Sequence, residues 1–265
     1  MIKNQIWLTK SYLAYLAKAK TRYKVHSPFV FDLVENVLKD KAKYPEYRKI
    51  ETYKKKVCHS KTIIETVDFG ARTKSKRYTT SMEKVGDIVK RRSQHKKQAR
   101  LLYRLSRHFQ PQNILEFGTA AGFSTAYIKA PVPQSKMFTM EGCPNLAEVA
   151  SHNLKELKIT NTEIRTGDFG VTLPGVLKNF EKLDFVFFDG NHRRKPTLDY
   201  YNRCVELAHE NTLFIFDDIH WSPGMEDAWN TVKKDERVSV SLDIFWFGLV
   251  FFRKGIIKQD FIIRY

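Results

Sequence analysis

The period of apolar and polar positions changes near residue 112. Before that point, apolar residues recur at three- and four-residue steps, which is the spacing of amphipathic helices. The pair Ser27-Pro28 predicts an N-cap followed by a first helical position. The spacing predicts helices over residues 2–24, 29–38, 39–62 (ending near Cys58), 81–90 and 98–109.

After residue 112, short apolar runs alternate with amphipathic segments. This alternation predicts repeated β-α units, and hence a parallel sheet with helices on both faces. The predicted strands are 113–117, 137–141, 162–166, 183–189 and 212–217. The predicted helices are 124–129, 145–157, 171–180 and 195–209.

The end of the chain has a different pattern. A helix over 225–234 precedes two apolar runs, 238–245 and 247–253, that only Trp246 separates. Strands joined so closely are expected to be antiparallel neighbours. Residues 260–265 are predicted to add a last edge strand.

One segment fits neither period. Residues 66–84 contain DFGARTKSKRYTT, which is strongly basic and has no apolar repeat. We interpret it as a mobile loop, either covering a site or forming disordered surface.

The stretch ILEFGTAAGFST at 114–125 predicts a strand, a tight turn and a helix start. Gly118 and Gly122 permit positive φ and close backbone approach in such a turn. The helix start offers unpaired N–H groups to a polar ligand. The G-x-x-x-G spacing differs from the G-x-G-x-x-G of dinucleotide-binding proteins, and a purely structural turn is the alternative.

Every predicted parallel strand ends in, or is followed by, an acidic residue. Ligands of open parallel sheets bind beyond the carboxyl ends of the strands. A single acid at a strand end is often a helix N-cap, but five along one edge indicate a binding site. These acids are Glu116, Glu141, Asp168, Asp189 and the pair Asp217-Asp218.

Four motifs together resemble the class I S-adenosylmethionine-dependent methyltransferases over residues 95–254. They are ILEFGTAAG, FTMEG, TGDF and FVFFDGNH. The resemblance implies an α/β fold: a Rossmann-like, doubly wound, mostly parallel seven-stranded sheet with an antiparallel strand at the end. It also implies a methyltransferase domain at 95–265, preceded by a basic helical cap or extension at 1–94.

The same resemblance implies which residues bind S-adenosylmethionine. The glycine turn would hold its methionine part, Glu141 its ribose, and Asp168 with Phe169 its adenine. The expected cofactor-binding residues are Glu116, Gly118, Thr119, Gly122, Ser124, Glu141, Gly142, Asp168, Phe169 and Asp189.

Within that superfamily, the chain looks most like the small O-methyltransferases of the catechol and caffeoyl-coenzyme A type. Their metal-binding acids match Asp189 and Asp217, while Asp218 replaces the usual Asn. All three could supply oxygen to Mg²⁺ or another divalent cation. The usual Lys of the fourth motif is absent, so His192 or the nearby Lys195 could replace it as the base. Without a metal, His192 or His220 could take the proton, and Asp189 is expected near the reacting atoms.

Charge leaves the partner open. Residues 1–112 contain 28 Lys/Arg and 9 Asp/Glu, whereas residues 113–265 contain 18 and 20. Such a surplus suggests nucleic acid or an anionic membrane surface as partner, or only a solvated basic face. The expected function is O-methylation of a small-molecule hydroxyl. The alternatives are an RNA methyltransferase and a non-enzymatic membrane- or partner-binding module, and a homodimer is a further expectation.

Two features bear on reaction type and location. The run DGNH lacks the Asn/Asp-Pro-Pro-aromatic pattern of enzymes that methylate exocyclic amines, which argues against base N-methylation. Three scattered cysteines without C-x-x-C spacing, together with an N-terminus that lacks a signal-like apolar stretch, predict a cytoplasmic protein.

Overall fold

The computed structural model describes residues 2–21, 26–69 and 78–265. The chain divides into two compact units, one formed by residues 41–180 and the other by residues 1–40 with 181–265. The predicted division after residue 94 stays a prediction.

The unit of residues 41–180 begins with helices and a β-hairpin and continues with β-α repeats. Its helices are α3 (Pro45–Val57), α4 (Val85–Arg92), α5 (Lys96–Phe109), α6 (Phe123–Lys129), α7 (Pro144–Glu156) and α8 (Phe169–Leu177), with α1 and α2 lying in the other unit. Its strands are β1 (Ile63–Asp68), β2 (Thr79–Lys84), β3 (Asn113–Phe117), β4 (Lys136–Glu141) and β5 (Thr162–Thr166).

Strands β3, β4 and β5 lie side by side and run parallel. All but one residue of β3 is buried, whereas Glu163 and Arg165 of the outer strand β5 are exposed and form an ion pair. Leu101, Leu102 and Leu105 of α5 are fully buried, as its helical period predicts, and Phe109 at its end is partly buried.

The predicted loop at 66–84 is partly wrong. Strands β1 and β2 pair antiparallel, with Thr66 opposite Ser81, so a hairpin occupies both ends of that segment. Residues 70–77 lie outside the described residues. The predicted helix start at residue 81 is also wrong, because β2 continues to Lys84 and α4 begins at Val85. Strand β2 is almost entirely exposed, so it carries no apolar alternation from which to predict it.

The second unit contains both ends of the chain. Its helices are α1 (Ile2–Lys18), α2 (Pro28–Leu33), α9 (Arg194–Cys204) and α10 (Pro223–Lys234). Its strands are β6 (Leu183–Phe188), β7 (Ala208–Asp217), β8 (Val240–Asp243), β9 (Phe247–Phe251) and β10 (Gln259–Ile262).

These strands lie in the order β10-β8-β9-β7-β6. Strand β9 runs antiparallel to both neighbours, which confirms the predicted antiparallel pair. Strand β10 is the predicted last edge strand and runs parallel to β8. Apart from the β1–β2 hairpin, the described residues contain eight strands rather than the seven expected, since β10 is a strand as well.

The N-terminal helix is shorter than its pattern suggests. Helix α1 ends at Lys18 rather than at residue 24, and residues 22–24 lie outside the described residues. Ser27 caps α2 by accepting the Val30 N–H, with Pro28 at the first helical position, as predicted. A π-helical turn, Val34–Leu38, follows α2. No helix in the described parts of the chain is both long and apolar enough to cross a membrane.

Candidate cofactor and metal site

The glycine turn joins β3 to α6. Gly118 and Gly122 have φ of 91° and 82°, which side chains rarely tolerate. The N–H groups of Gly118 and Thr119 donate to the Met140 carbonyl of β4, at 2.9 and 3.1 Å. The turn is therefore fixed to the neighbouring strand rather than free.

The Glu141 carboxylate connects two loops. It is buried at the end of β4, and its Oε2 accepts the Ala120 N–H at 2.8 Å. Its Oε1 accepts the Cys143 N–H at 2.9 Å. Burial raises the pKa of Glu141, while these N–H donors pull the pKa down. A carboxylate has about four acceptor sites in all, so the group still has capacity to accept a ligand hydroxyl.

Glu116 and Thr119 are two fully buried members of the predicted cofactor residues. Glu116 Oε2 accepts the hydroxyls of Thr125 and Thr139, the latter at 2.7 Å. The hydroxyls of Thr139 and Thr119 are 2.6 Å apart. These bonds tie the turn to β3 and β4, and cofactor contact by Glu116 stays a prediction.

Asp168 precedes α8 and caps it. Its Oδ1 accepts the Gly170 N–H at 2.9 Å, which is the N-cap role considered for acids at strand ends. The ring of Phe169 packs edge-on against Phe117, with centroids 5.8 Å apart. Adenine binding by this pair is untested.

Three predicted residues of the second unit come together. One ligand atom from each of Asp189, His192 and Asp217 lies within 4.8 Å of the other two. Among the described residues, these three side chains form a group that could hold a metal ion. Asp217 is buried at the end of β7, and His192 Nε2 lies 3.6 Å from Asp189 Oδ1. Two carboxylates and an imidazole can hold a divalent cation, and they suit metals such as Mn²⁺ as well as Mg²⁺.

Asp218 is not a member of that group within the described chain. Its φ is 54°, and its N–H donates to the Trp246 carbonyl at 2.8 Å. The sequence predicted His192 as a base and not as a candidate third ligand, although its spacing of three residues from Asp189 was visible.

His220 lies in a separate polar cluster. Its Nε2 is 2.9 Å from Asp243 Oδ2, its Nδ1 is 3.7 Å from Glu226 Oε2, and its ring stacks on Phe245. Its carbonyl accepts the Trp7 indole N–H of α1. The ring is buried between two carboxylates, which favours a structural role, although its catalytic role is untested.

Comparison with known proteins agrees with the motifs. Residues 115–219 match the family described as a methyltransferase domain. A catechol O-methyltransferase of Niastella koreensis is 30% identical over 46% of this chain and 56% of its own length. One from Mycobacterium tuberculosis is 29% identical over 46% and 54%. The chain thus spans about half the length of the curated relatives that it matches.

A solved structure extends the likeness. The O-methyltransferase from Bacillus cereus in complex with SAH is similar to this chain with a TM-score of 0.55 and 18% identity. The match covers 84% of this chain and 97% of that one. The likeness confirms the expected Rossmann-like α/β fold.

Proposed function

We propose that this chain, which carries a methyltransferase domain at residues 115–219, transfers a methyl group from S-adenosylmethionine to a hydroxyl oxygen of a small molecule. The observation that carries the proposal is Glu141, a buried carboxylate joined to the loops after β3 and β4. The likeness to catechol O-methyltransferases favours a hydroxyl as acceptor.

The cofactor would lie against the glycine turn and Glu141. When bound, S-adenosylmethionine supplies an electrophilic methyl group, and the acceptor oxygen forms its bond to that carbon as the carbon–sulfur bond breaks. Glu141 would accept the ribose hydroxyls. The remaining residues proposed to bind the cofactor are Glu116, Gly118, Thr119, Gly122, Ser124, Gly142, Asp168, Phe169 and Asp189.

A divalent cation is the finer part of the proposal. Asp189, His192 and Asp217 would hold it, with Asp218 as a further candidate. When bound, the cation would lower the pKa of the acceptor hydroxyl. His192 could then be either a ligand or the base, because a ring nitrogen that binds the cation cannot also accept a proton. His220 is the other candidate base.

The decisive experiment compares Asp217→Asn with Asp227→Asn, a matched change at an exposed acid of α10. SAH binding is measured by calorimetry, and methyl transfer to a catechol panel is measured with Mg²⁺, Mn²⁺ or EDTA. Asp217→Asn is expected to keep SAH affinity within about twofold and to lose turnover by about 100-fold or more. Asp227→Asn should behave as the unmodified protein.

The two parts of the proposal fail differently. Normal turnover by Asp217→Asn, or by the unmodified protein in EDTA, would contradict the proposed role of the cation. If the unmodified protein binds neither S-adenosylmethionine nor SAH, the proposal of methyl transfer is wrong, and the non-enzymatic module is the remaining alternative.

The basic segment supports a second candidate, an RNA methyltransferase that docks through residues 1–112. An anionic membrane surface and a homodimer stay proposals too. We also propose a cytoplasmic location, which is supported by three free cysteines, including the buried Cys143 and Cys204.

A further inference from the structure

The β1–β2 hairpin packs on the loop that carries Glu141. The Asn145 side chain donates to the Glu65 carbonyl of β1 at 2.8 Å, and Cys143 Sγ lies 3.7 Å from the same oxygen. Val67 of β1 and Ala120 of the glycine turn both pack against the buried cluster of Ile88, Cys143 and Leu146. The hairpin therefore contacts the loop after β4 directly and shares a buried cluster with the glycine turn.

At the end of β1, the ring of Phe69 lies over Gly142. A Cβ placed on Gly142 would lie 2.8 Å from Phe69 Cδ2 and 3.2 Å from Cε2, closer than such contacts allow. A side chain at residue 142 would therefore displace the Phe69 ring, which fills the space beside the glycine. The Tyr78 ring, at the start of the returning strand, is 5.9 Å from Phe69, centroid to centroid.

This ring stands next to the proposed ribose-binding acid. Gly142 directly follows Glu141, so a nucleoside held by that carboxylate would extend along the neighbouring backbone. A purine needs a flat apolar surface, and an aromatic ring provides one. Gly142 has no side chain to provide that surface. The Phe69 ring lies beside Gly142 and is only partly buried, so it can provide the surface instead.

We propose that Phe69 is a cofactor-binding residue whose ring forms one wall of the adenosyl site beside Glu141. The inference rests on the proposed function. It gives the hairpin, which neither the motifs nor the family match cover, a part in binding the cofactor.

The test is calorimetric titration of the full chain with SAH and with adenosine. Phe69→Ala is expected to weaken both ligands by about tenfold, because both carry the purine. Phe69→Tyr keeps the ring and should stay within about twofold of the unmodified protein. Phe31→Ala, which removes a half-exposed ring on α2, is the matched control and should change neither affinity.

Val67→Ala distinguishes a merely structural role of Phe69 from direct contact between its ring and the ligand. That change loosens the same packing without touching the ring, so it should lower the melting temperature while leaving SAH affinity nearly unchanged. Equal losses of affinity in Val67→Ala and Phe69→Ala would overturn the proposal. If Phe69→Ala does not fold, Phe69→Leu retains apolar volume and should still weaken adenosine.

The outcomes distinguish the inference from its premise. If the unmodified protein, Phe69→Ala and Phe69→Leu all bind SAH equally well, the proposed role of Phe69 is wrong while the proposed function stands. An unmodified protein that does not bind SAH would overturn both.

Discussion

At the scale of single residues, backbone conformation decides what a carboxylate can do. Glu141 can accept the Ala120 N–H because Ala120 has a φ of 46°, in the left-handed region. The acid at the end of β4 could be predicted from its position after an apolar run. Its partner could not, since nothing in the letters AAG indicates which residue turns left-handed.

Glu141→Gln tests this carboxylate. The amide can replace only one of the two acceptor oxygens, so one buried N–H loses its partner. We expect SAH affinity to fall by about tenfold or more and the free energy of unfolding to fall by about 1–3 kcal/mol. Glu148→Gln, at an exposed acid of α7, is the matched control, and equal effects in both variants would contradict the prediction.

The pH dependence of binding follows from the burial of Glu141. Burial raises its pKa above the ordinary 4.5, and a protonated carboxyl loses acceptor capacity. As pH falls, SAH affinity should therefore begin to drop above that ordinary value, and Glu141→Gln should remove this dependence. Stability has the opposite sign: the Glu141 contribution decreases as pH rises through the raised pKa, because the folded state binds that proton more tightly.

At the scale of elements, burial decides what sequence patterns predict. Strands β3 and β5 begin and end where predicted, and α5 begins only two residues earlier, because apolar runs, turn residues and Pro111 bound these elements. The hairpin was missed because polar contacts hold it. Thr66 and Ser81 donate to Glu83 Oε1 at 2.9 and 3.1 Å, a pattern without hydrophobic period.

Glu83 also ties the hairpin to α4 through Arg91 and Arg92. Burial alone would raise its pKa, but hydrogen bonds from Arg91, Thr66 and Ser81 outweigh burial and lower the pKa to about 2. The contribution of Glu83 to stability is thus present above its ordinary 4.5 and lost as pH falls through about 2.

Glu83→Gln should therefore lower the free energy of unfolding by about 1 kcal/mol at neutral pH, measured by urea denaturation. The difference from the unmodified protein should shrink as pH falls below the ordinary range. Glu163→Gln, which breaks a more exposed ion pair on β5, is expected to cost less than about 0.5 kcal/mol. A difference for Glu83→Gln that is constant with pH would be inconsistent with this role.

At the scale of the whole molecule, the sequence predicted the class of fold, the order of the β-α repeats and an edge strand near the end of the chain. Residues 260–265 supply the apolar Phe261, Ile262 and Ile263 for that strand, but nothing in them indicates its parallel pairing with β8. The excess of basic residues in 1–112, in contrast, can be counted directly from the sequence. Which anionic partner it attracts depends on how those residues are arranged on the folded surface.

An anionic partner docking on residues 1–112 predicts a localised, salt-dependent affinity. Lys55→Glu with Lys56→Glu on α3 should weaken binding of a single-stranded RNA, whereas Lys233→Glu with Lys234→Glu on α10 should weaken it less. The affinity of the unmodified protein should fall by about 100-fold or more between about 50 and 200 mM salt. Fluorescence anisotropy measures both effects, and undetectable or salt-independent binding would leave the basic segment a solvated face.

The outer strand β5 has a consequence for how copies of this chain meet. Among the described residues, one edge of β5 pairs with no other strand, and its backbone groups could recruit a strand from another molecule, which is how edge-to-edge aggregation starts. Glu163 and Arg165 stand on that edge as exposed, paired charges. An incoming strand would have to strip water from both of them, so lateral growth of the sheet into a fibre is disfavoured at this border.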